Sequence, residues 1–181
     1  MEYKLIRSNR KTLALQIKDG EIVVRAPLRA GIEQIESLLL QHKDFIDKHL
    51  SESVERKKKK DGIVPLSDEE KRALIEMAYR IIPERAEHYA RIIGVKYAKI
   101  TVRAQRSRWG SCSVRGNLSF NLLLMLTPTE VLDSVIVHEL CHLKHMDHSR
   151  EFYKDVERAY PDYYKWHSYL KENGELLMAR L

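Results

Sequence analysis

Cysteine is scarce in this 181-residue chain: Cys112 and Cys141 are the only two. Such a pair is no disulfide framework, so folding must rest on a packed core, and a reducing compartment is expected. Long apolar runs are missing as well. The longest, Leu122 to Leu126, falls far short of the ~20 residues that a membrane span needs. The N-terminus, MEYKLIRSNRKTLALQ, has neither the apolar segment nor the small-residue cleavage site of a secretory signal. These absences predict a cytoplasmic protein with no membrane contact. No internal repeat is visible.

What is present supports a globular fold. Hydrophobic residues make up 44% of the chain and charged residues 32%, enough for a core and a solvated surface in one domain or a domain with an extension. The net charge of +6 permits contact with nucleic acid without demanding it. The densest cationic run, Arg56 to Lys60, reads first as a solvated helix end, where cations suit the helix dipole. Nucleic-acid association through this basic surface is the alternative.

The N-terminal part opens as β-structure. Leu13, Leu15 and Ile17 alternate with polar residues, Asp19-Gly20 follows, and Ile22, Val24 and Ala26 alternate again. Asp-Gly between alternating runs is a strong hairpin signal, because the tight turn needs positive φ. Tyr3 and Leu5 suggest a preceding strand. Helical spacing of Ile32, Ile35, Leu39, Ile46 and Leu50 predicts one helix from about 32 to 59, with His42 and His49 as surface histidines. The stretch from Lys57 to Pro65 is the candidate linker. It separates a hairpin-and-helix region, 1–66, from a core region, 67–181.

The core region begins with Ser67-Asp68-Glu69-Glu70, the pattern of a capping box. A buried stripe of Leu74, Met77, Ala78, Ile81 and Ile82 follows, with a kink expected at Pro83 and a stop at Gly94. Next comes a strand, Lys99 to Ala104. A second hairpin turns at Ser113 to Gly116 and returns through Asn117 to Leu123. Thr127-Pro128-Thr129-Glu130 reads as a helix start, with Thr127 as cap and Pro128 in the first turn. The remainder is mostly helical. The order of elements predicts an α+β fold.

Four of the eight histidines lie between His138 and His148, in HELCHLKHMDH. On a helix, His138 and His142 sit ~40° apart and one turn removed. Both imidazoles can then reach one ion at the ~2.0–2.1 Å that zinc requires. Glu139 lies beside them as the carboxylate that takes a proton from water in HExxH sites. Val131 and Val135 continue the histidine face, and Leu132, Ile136, Leu140 and Leu143 form an apolar stripe beside it, so the helix should be largely buried. A third ligand cannot come from the same straight helix. The chain must turn after His142, and His148 is placed to return. His145 then falls in the turn, since histidine is among the residues found at positive φ. Cys141 reads as a packing residue.

HELCHLKHMDHSREFY, preceded by RSRWGSCSVRGNLSFN and by the hairpin RSNRKTLALQIKDGEIVVRAP, resembles the YgjP-like family of predicted metallopeptidases, near the SprT-like group. The resemblance implies a zincin-like catalytic core: an active-site helix on a small mixed sheet whose edge strand holds a protein or peptide substrate. It implies that His138, His142 and His148 hold Zn2+ and that Glu139 is catalytic. Arg108, Trp109, Gly110, Ser111 and Cys112 form the other fingerprint of that family. Trp109-Gly110 reads either as a packing tryptophan with a tight bend or as a close approach of backbone to the site. Tyr153, Tyr163, Tyr164 and His167 are candidates for the donor that a developing oxyanion needs besides zinc.

Three other readings compete. A zinc-dependent RNA endonuclease of the rRNA-maturation type shares the H-x3-H-x5-H spacing and the ending Asp147-His148, but has glycine in place of Glu139. A deformylase-like arrangement would use Cys112 as third ligand, without that enzyme's other motifs. A non-catalytic module would use zinc only to stabilise a surface for nucleic acid or a partner.

Overall fold

The computed structural model describes residues 1–18 and 20–181. Asp19, half of the expected Asp-Gly turn, lies outside the described residues. The chain divides into two compact units, Met1–Ile63 and Val64–Leu181, and the whole is an α+β protein. Among the described residues, no helix is long and apolar enough to cross a membrane.

The first unit contains β1 (Lys4–Ser8), β2 (Ala14–Lys18), β3 (Glu21–Pro27), α1 (Ile32–Gln41) and α2 (Lys43–Asp61). β2 and β3 pair antiparallel with Leu15 opposite Val24 and Ile17 opposite Ile22, as the alternation predicts. Gly20 has φ 81°, the left-handed conformation that a turn glycine supplies. β1 lies on the other side of β3 and runs parallel to it. Local alternation cannot show that pairing, because it depends on which strand ends in the middle of the sheet. The Arg7 guanidinium secures it by donating to the carbonyls of Pro27, Leu28 and Ala30. The single helix expected from 32 to 59 is two helices, with His42 (φ −107°, ψ 22°) as the joint. The break lets Ile35, Leu39 and Ile46 all bury with Ile22, Val24 and Ala26 in one cluster. Burial of both helices outweighs the continuity of the helical pattern.

The second unit contains α3 (Asp68–Ile93), β4 (Lys99–Arg103), β5 (Gly110–Cys112), β6 (Asn117–Asn121), a 3-10 turn at Leu122–Leu126, α4 (Thr129–Cys141), α5 (Arg150–Ala159) and α6 (Tyr163–Met178). The capping box is formed: Glu70 N–H donates to Ser67 Oγ at 3.1 Å, and Ser67 N–H to Glu70 Oε2 at 2.7 Å. α3 runs through Pro83 as one helix and stops at Gly94, whose φ is 77°. The helix therefore absorbs the missing proline N–H without ending. Its buried face carries Leu74, Ala78, Ile82, Ala86 and Tyr89, whereas Met77 is 37% exposed. β6 is the middle strand, parallel to β4 and antiparallel to β5. β6 ends at Asn121, two residues short of the expected return strand. Asn121 Oδ1 caps the 3-10 turn by accepting from Leu123 N–H. Leu122, Leu123 and Leu124 are all buried, which the 3-10 geometry allows and strand alternation would not. α4 starts one residue later than expected. Pro128 occupies the cap position, and the Thr127 hydroxyl donates instead to Leu124 O.

α4 is buried nearly all round: every residue from Val131 to Val137, and Glu139 to Cys141, is inside. Two of them carry carboxyl groups, Asp133 and Glu139. Asp133, 3% exposed, is held by a two-pronged ion pair with Arg85 of α3 and accepts from Tyr89 Oη at 3.1 Å. A buried carboxylate with charge-assisted partners fixes the register of two helices, and removing one partner is costly. Asp133→Ala is expected to lower unfolding stability by about 3 kcal/mol, read as a fall in the urea midpoint. An unchanged midpoint would show that the pair adds nothing to the α3–α4 contact.

Candidate metal centre

α4 delivers His138 and His142 one turn apart, and the chain reverses immediately afterwards. Leu143 N–H donates to Leu140 O, and the N–H groups of Lys144 and His145 both reach Cys141 O, closing the helix end. The loop is anchored on three sides. Lys144 Nζ donates to Ile93 O at 2.6 Å, and His145 Nε2 lies 3.1 Å from Asp155 Oδ2 on α5. The His145 carbonyl accepts from His142 Nδ1 at 2.9 Å. Ser149 then caps α5, accepting from Phe152 N–H. This places His148 beside the first two histidines.

The three rings converge. His138 Nε2 is 3.2 Å from His142 Nε2 and 3.1 Å from His148 Nε2. The three ligand atoms all lie within 4.8 Å of one another, forming the three-histidine group of the described residues. A tetrahedral ion with 2.0–2.1 Å bonds to nitrogen has edges of about 3.3–3.4 Å, so the spacing fits a metal of that size. The tautomers fit too. A carbonyl can only accept, so His142 Nδ1 carries the proton and its Nε2 keeps a lone pair. At His138, Nδ1 is 2.9 Å from Tyr163 Oη, and Tyr163 Oη is 3.3 Å from His167 Nδ1. With the hydroxyl proton assigned to His167, Tyr163 Oη accepts from His138 Nδ1–H, and His138 Nε2 is also free to ligate. Partners of this kind on the far ring nitrogen orient metal-binding histidines and raise their basicity.

Burial, with the neighbouring imidazoles His142 and His148 adding to it, depresses His138 to about 3. His142 is lowered as well, chiefly by burial. The pair is thus neutral at physiological pH, the state a metal ligand requires. Beneath the rings lies Phe152, fully buried. Its centroid is 5.0, 4.6 and 5.0 Å from those of His138, His142 and His148. It packs against all three imidazoles at once. Sequence reasoning missed it, although an aromatic one turn into the helix after the third histidine was a readable signal.

Glu139 is 6% exposed. Burial pushes its carboxyl up to about 8, with Arg108 pulling the other way. Gly110 on β5 explains how the carboxylate fits. A Cβ there would stand 2.5 Å from Glu139 Oε1 and 2.6 Å from its Cγ, so the strand can pass Glu139 only without a side chain. Trp109 faces α6, where a Cβ on Gly174 would come within 3.1 Å of the indole. Both readings of Trp109-Gly110 therefore hold, one for each residue. Gly110→Ala is expected to displace Glu139 and to lower unfolding stability by about 1–3 kcal/mol, read as a fall in the urea midpoint. An unchanged midpoint would mean that Glu139 has room to spare.

Other expected positions are spread around this centre. Cys112 lies outside the histidine group, and burial raises its thiol to about 11, which disfavours the thiolate a metal would need. Cys141 is fully buried packing. Of the oxyanion candidates, Tyr163 is committed to His138. Tyr164 stacks on Tyr153 at 6.2 Å and is 54% exposed. Tyr153 lies 6.2 Å from the His148 ring, and His167 lies 6.4 Å from the His138 ring and parallel to it within 10°.

Comparison with known proteins supplies the family. No curated protein matches the sequence. Among solved structures, that of the metallopeptidase zymogen of Pyrococcus abyssi abylysin is similar, at 21% identity and a TM-score of 0.46, over 51% of this chain and 94% of that one. The family model of the YgjP-like metallopeptidase domain matches residues 65–173. That match covers well over half of the chain, and the protein belongs to the YgjP-like metallopeptidase family.

Proposed function

We propose that this protein is a zinc-dependent peptidase whose ion is held by His138, His142 and His148 and whose proton-transfer group is Glu139. The observation that carries the reading is the convergence of three imidazoles on one point, with His138 Nε2 3.1–3.2 Å from the other two, next to a buried carboxyl. When bound, zinc supplies Lewis acidity, polarising a carbonyl and acidifying water. The chain's own groups do the rest. Tyr163 and the His145 carbonyl hold the ring protons on Nδ1 of His138 and His142. Glu139 accepts a proton from the attacking water and returns it to the leaving amine nitrogen. With the Tyr163 hydroxyl proton assigned to His167 Nδ1, His167 carries its ring proton on Nε2, and we assign this N–H as the donor to the developing oxyanion.

We assign substrate recognition to β5, one of the two edge strands of its sheet and the one that abuts Glu139. Its outer side can pair with an extended polypeptide, the usual way an exposed strand edge takes a peptide. The reading is tested by metal removal. Dialysis against a chelator is expected to abolish cleavage of unfolded casein, and one equivalent of Zn2+, not Mg2+, should restore it. Cleavage that survives complete zinc removal would end the proposal.

A further inference from the structure

One stretch of this chain has no carboxylate at all. Between Glu87 and Glu130 there is neither Asp nor Glu, while Lys96, Lys99, Arg103, Arg106, Arg108 and Arg115 all fall within it. This stretch forms the whole sheet β4–β6 and the loop 104–109 that leads into β5. Arg103, Arg106, Arg108 and Arg115 are exposed. Among the described residues they take part in none of the ion pairs found elsewhere on the unit, such as Lys154–Glu151 or Arg158–Asp155.

The loop that carries Arg106 and Arg108 is fixed, while Arg103 ends β4 and Arg115 lies in the turn between β5 and β6. Asn121, fully buried at the end of β6, donates through Nδ2 to Gln105 O at 2.6 Å and to Arg108 O at 3.0 Å. Trp109 is pinned behind it by an Asn121 N–H to Trp109 O bond of 2.8 Å. The next residue, Gly110, abuts Glu139, and the charge of Arg108 is felt at that carboxyl. The cationic loop thus adjoins the point where chemistry would occur. α5, in contrast, carries both signs, with Glu151, Asp155 and Glu157 among Arg150, Lys154 and Arg158.

We propose that this loop and edge strand select polypeptide segments with acidic side chains flanking the scissile bond. The proposal rests on the peptidase reading above and names its substrate class. Exposed guanidinia outside the ion pairs of the unit, two of them on an anchored loop beside an edge strand, attract carboxylates and repel lysine-rich segments, which gives specificity and speeds encounter. A peptide fits better than a nucleic acid. Single-stranded nucleic acid is held by base stacking on exposed aromatic faces, and the one indole in the loop is spent against Gly174.

The test measures binding apart from cleavage. Two fluorescent peptides differ only in carrying Glu or Gln at the positions flanking one neutral bond. Zinc-loaded Glu139→Gln protein is titrated with each by anisotropy at about 50 and about 500 mM NaCl, on either side of the screening range. The acidic peptide is expected to bind about tenfold tighter at low salt, with the advantage lost at high salt. Arg103→Glu/Arg106→Glu protein, with unchanged zinc content and Tm, should lose or reverse the preference. Equal binding of the two peptides overturns the proposal, and so does an oligonucleotide of matched charge displacing the acidic peptide. Casein cleavage by the wild type is followed in parallel. Cleavage without any acidic preference defeats only this proposal. A preference without any cleavage defeats the peptidase reading and leaves the recognition surface standing.

Discussion

Replacement of Glu139 by glutamine is expected to abolish peptide cleavage, by a factor of about 10³ or more, while zinc stays bound at one equivalent. Glutamine fills the same space beside Gly110 and cannot take a proton from water. The same variant should change the stability of the metal-free protein in a pH-dependent way. Burial lifts the Glu139 carboxyl from its ordinary 4.5 to about 8. A group whose folded pKa is raised contributes stability that is complete below its unfolded pKa and is lost as pH rises through the folded one. In wild type that loss falls between about pH 4.5 and pH 8. Glutamine does not titrate, so the variant escapes it. The histidines, which titrate in the opposite sense, are common to both proteins and cancel. In chelator, the Tm of the variant should therefore match wild type near pH ~4.5 and exceed it by several degrees at pH ~8.5. Parallel Tm profiles would show that the carboxyl is not desolvated. Undiminished cleavage by the variant would remove Glu139 from the chemistry.

Local patterns carried much of this protein. The strands β2 and β3 were legible because alternation and a turn glycine act within a few residues. The start and stop of α3 were legible for the same reason, since Ser67, Glu70 and Gly94 bond to backbone next to them. The spacing of His138, Glu139 and His142 needed only helix geometry. What failed to show were contacts made between distant segments. The parallel pairing of β1 with β3, the joint at His42 and the Asp133–Arg85–Tyr89 cluster each depend on packing partners that periodicity does not name. Gly110 is the instructive case. Its sequence context suggested close backbone approach, but only the fold reveals that the approaching group is Glu139 itself.

The supports of the histidine group form a layered arrangement. Phe152 lies under all three rings, Tyr163 and the His145 carbonyl hold two of them by their far nitrogens, and Asp155 and Lys144 hold the loop that brings the third. Each support is a contact within the chain that leaves the Nε2 atoms of the three histidines free, so metal affinity, rather than folding, is expected to depend on the ligands themselves.

His148→Ala follows from this as the sharpest test of the ligand set. His148 is exposed, and its loop is anchored through His145, Lys144 and Ser149, so losing the imidazole should leave the metal-free fold intact. The Tm in chelator should equal that of wild type. Zinc retention should collapse from one equivalent to almost none after gel filtration, a larger loss than the ~10–100-fold that supporting residues cost. Ligand binding to the native state alone raises Tm by mass action, so added zinc should raise the Tm of wild type and not that of the variant. Cys112→Ala is the paired control. Its thiol stands outside the histidine group and is held protonated by burial, so both zinc content and the zinc-induced rise in Tm should be unchanged. The opposite outcome, with zinc kept by His148→Ala and lost by Cys112→Ala, would move the third ligand to β5 and remove the reversal after His142 from the metal site.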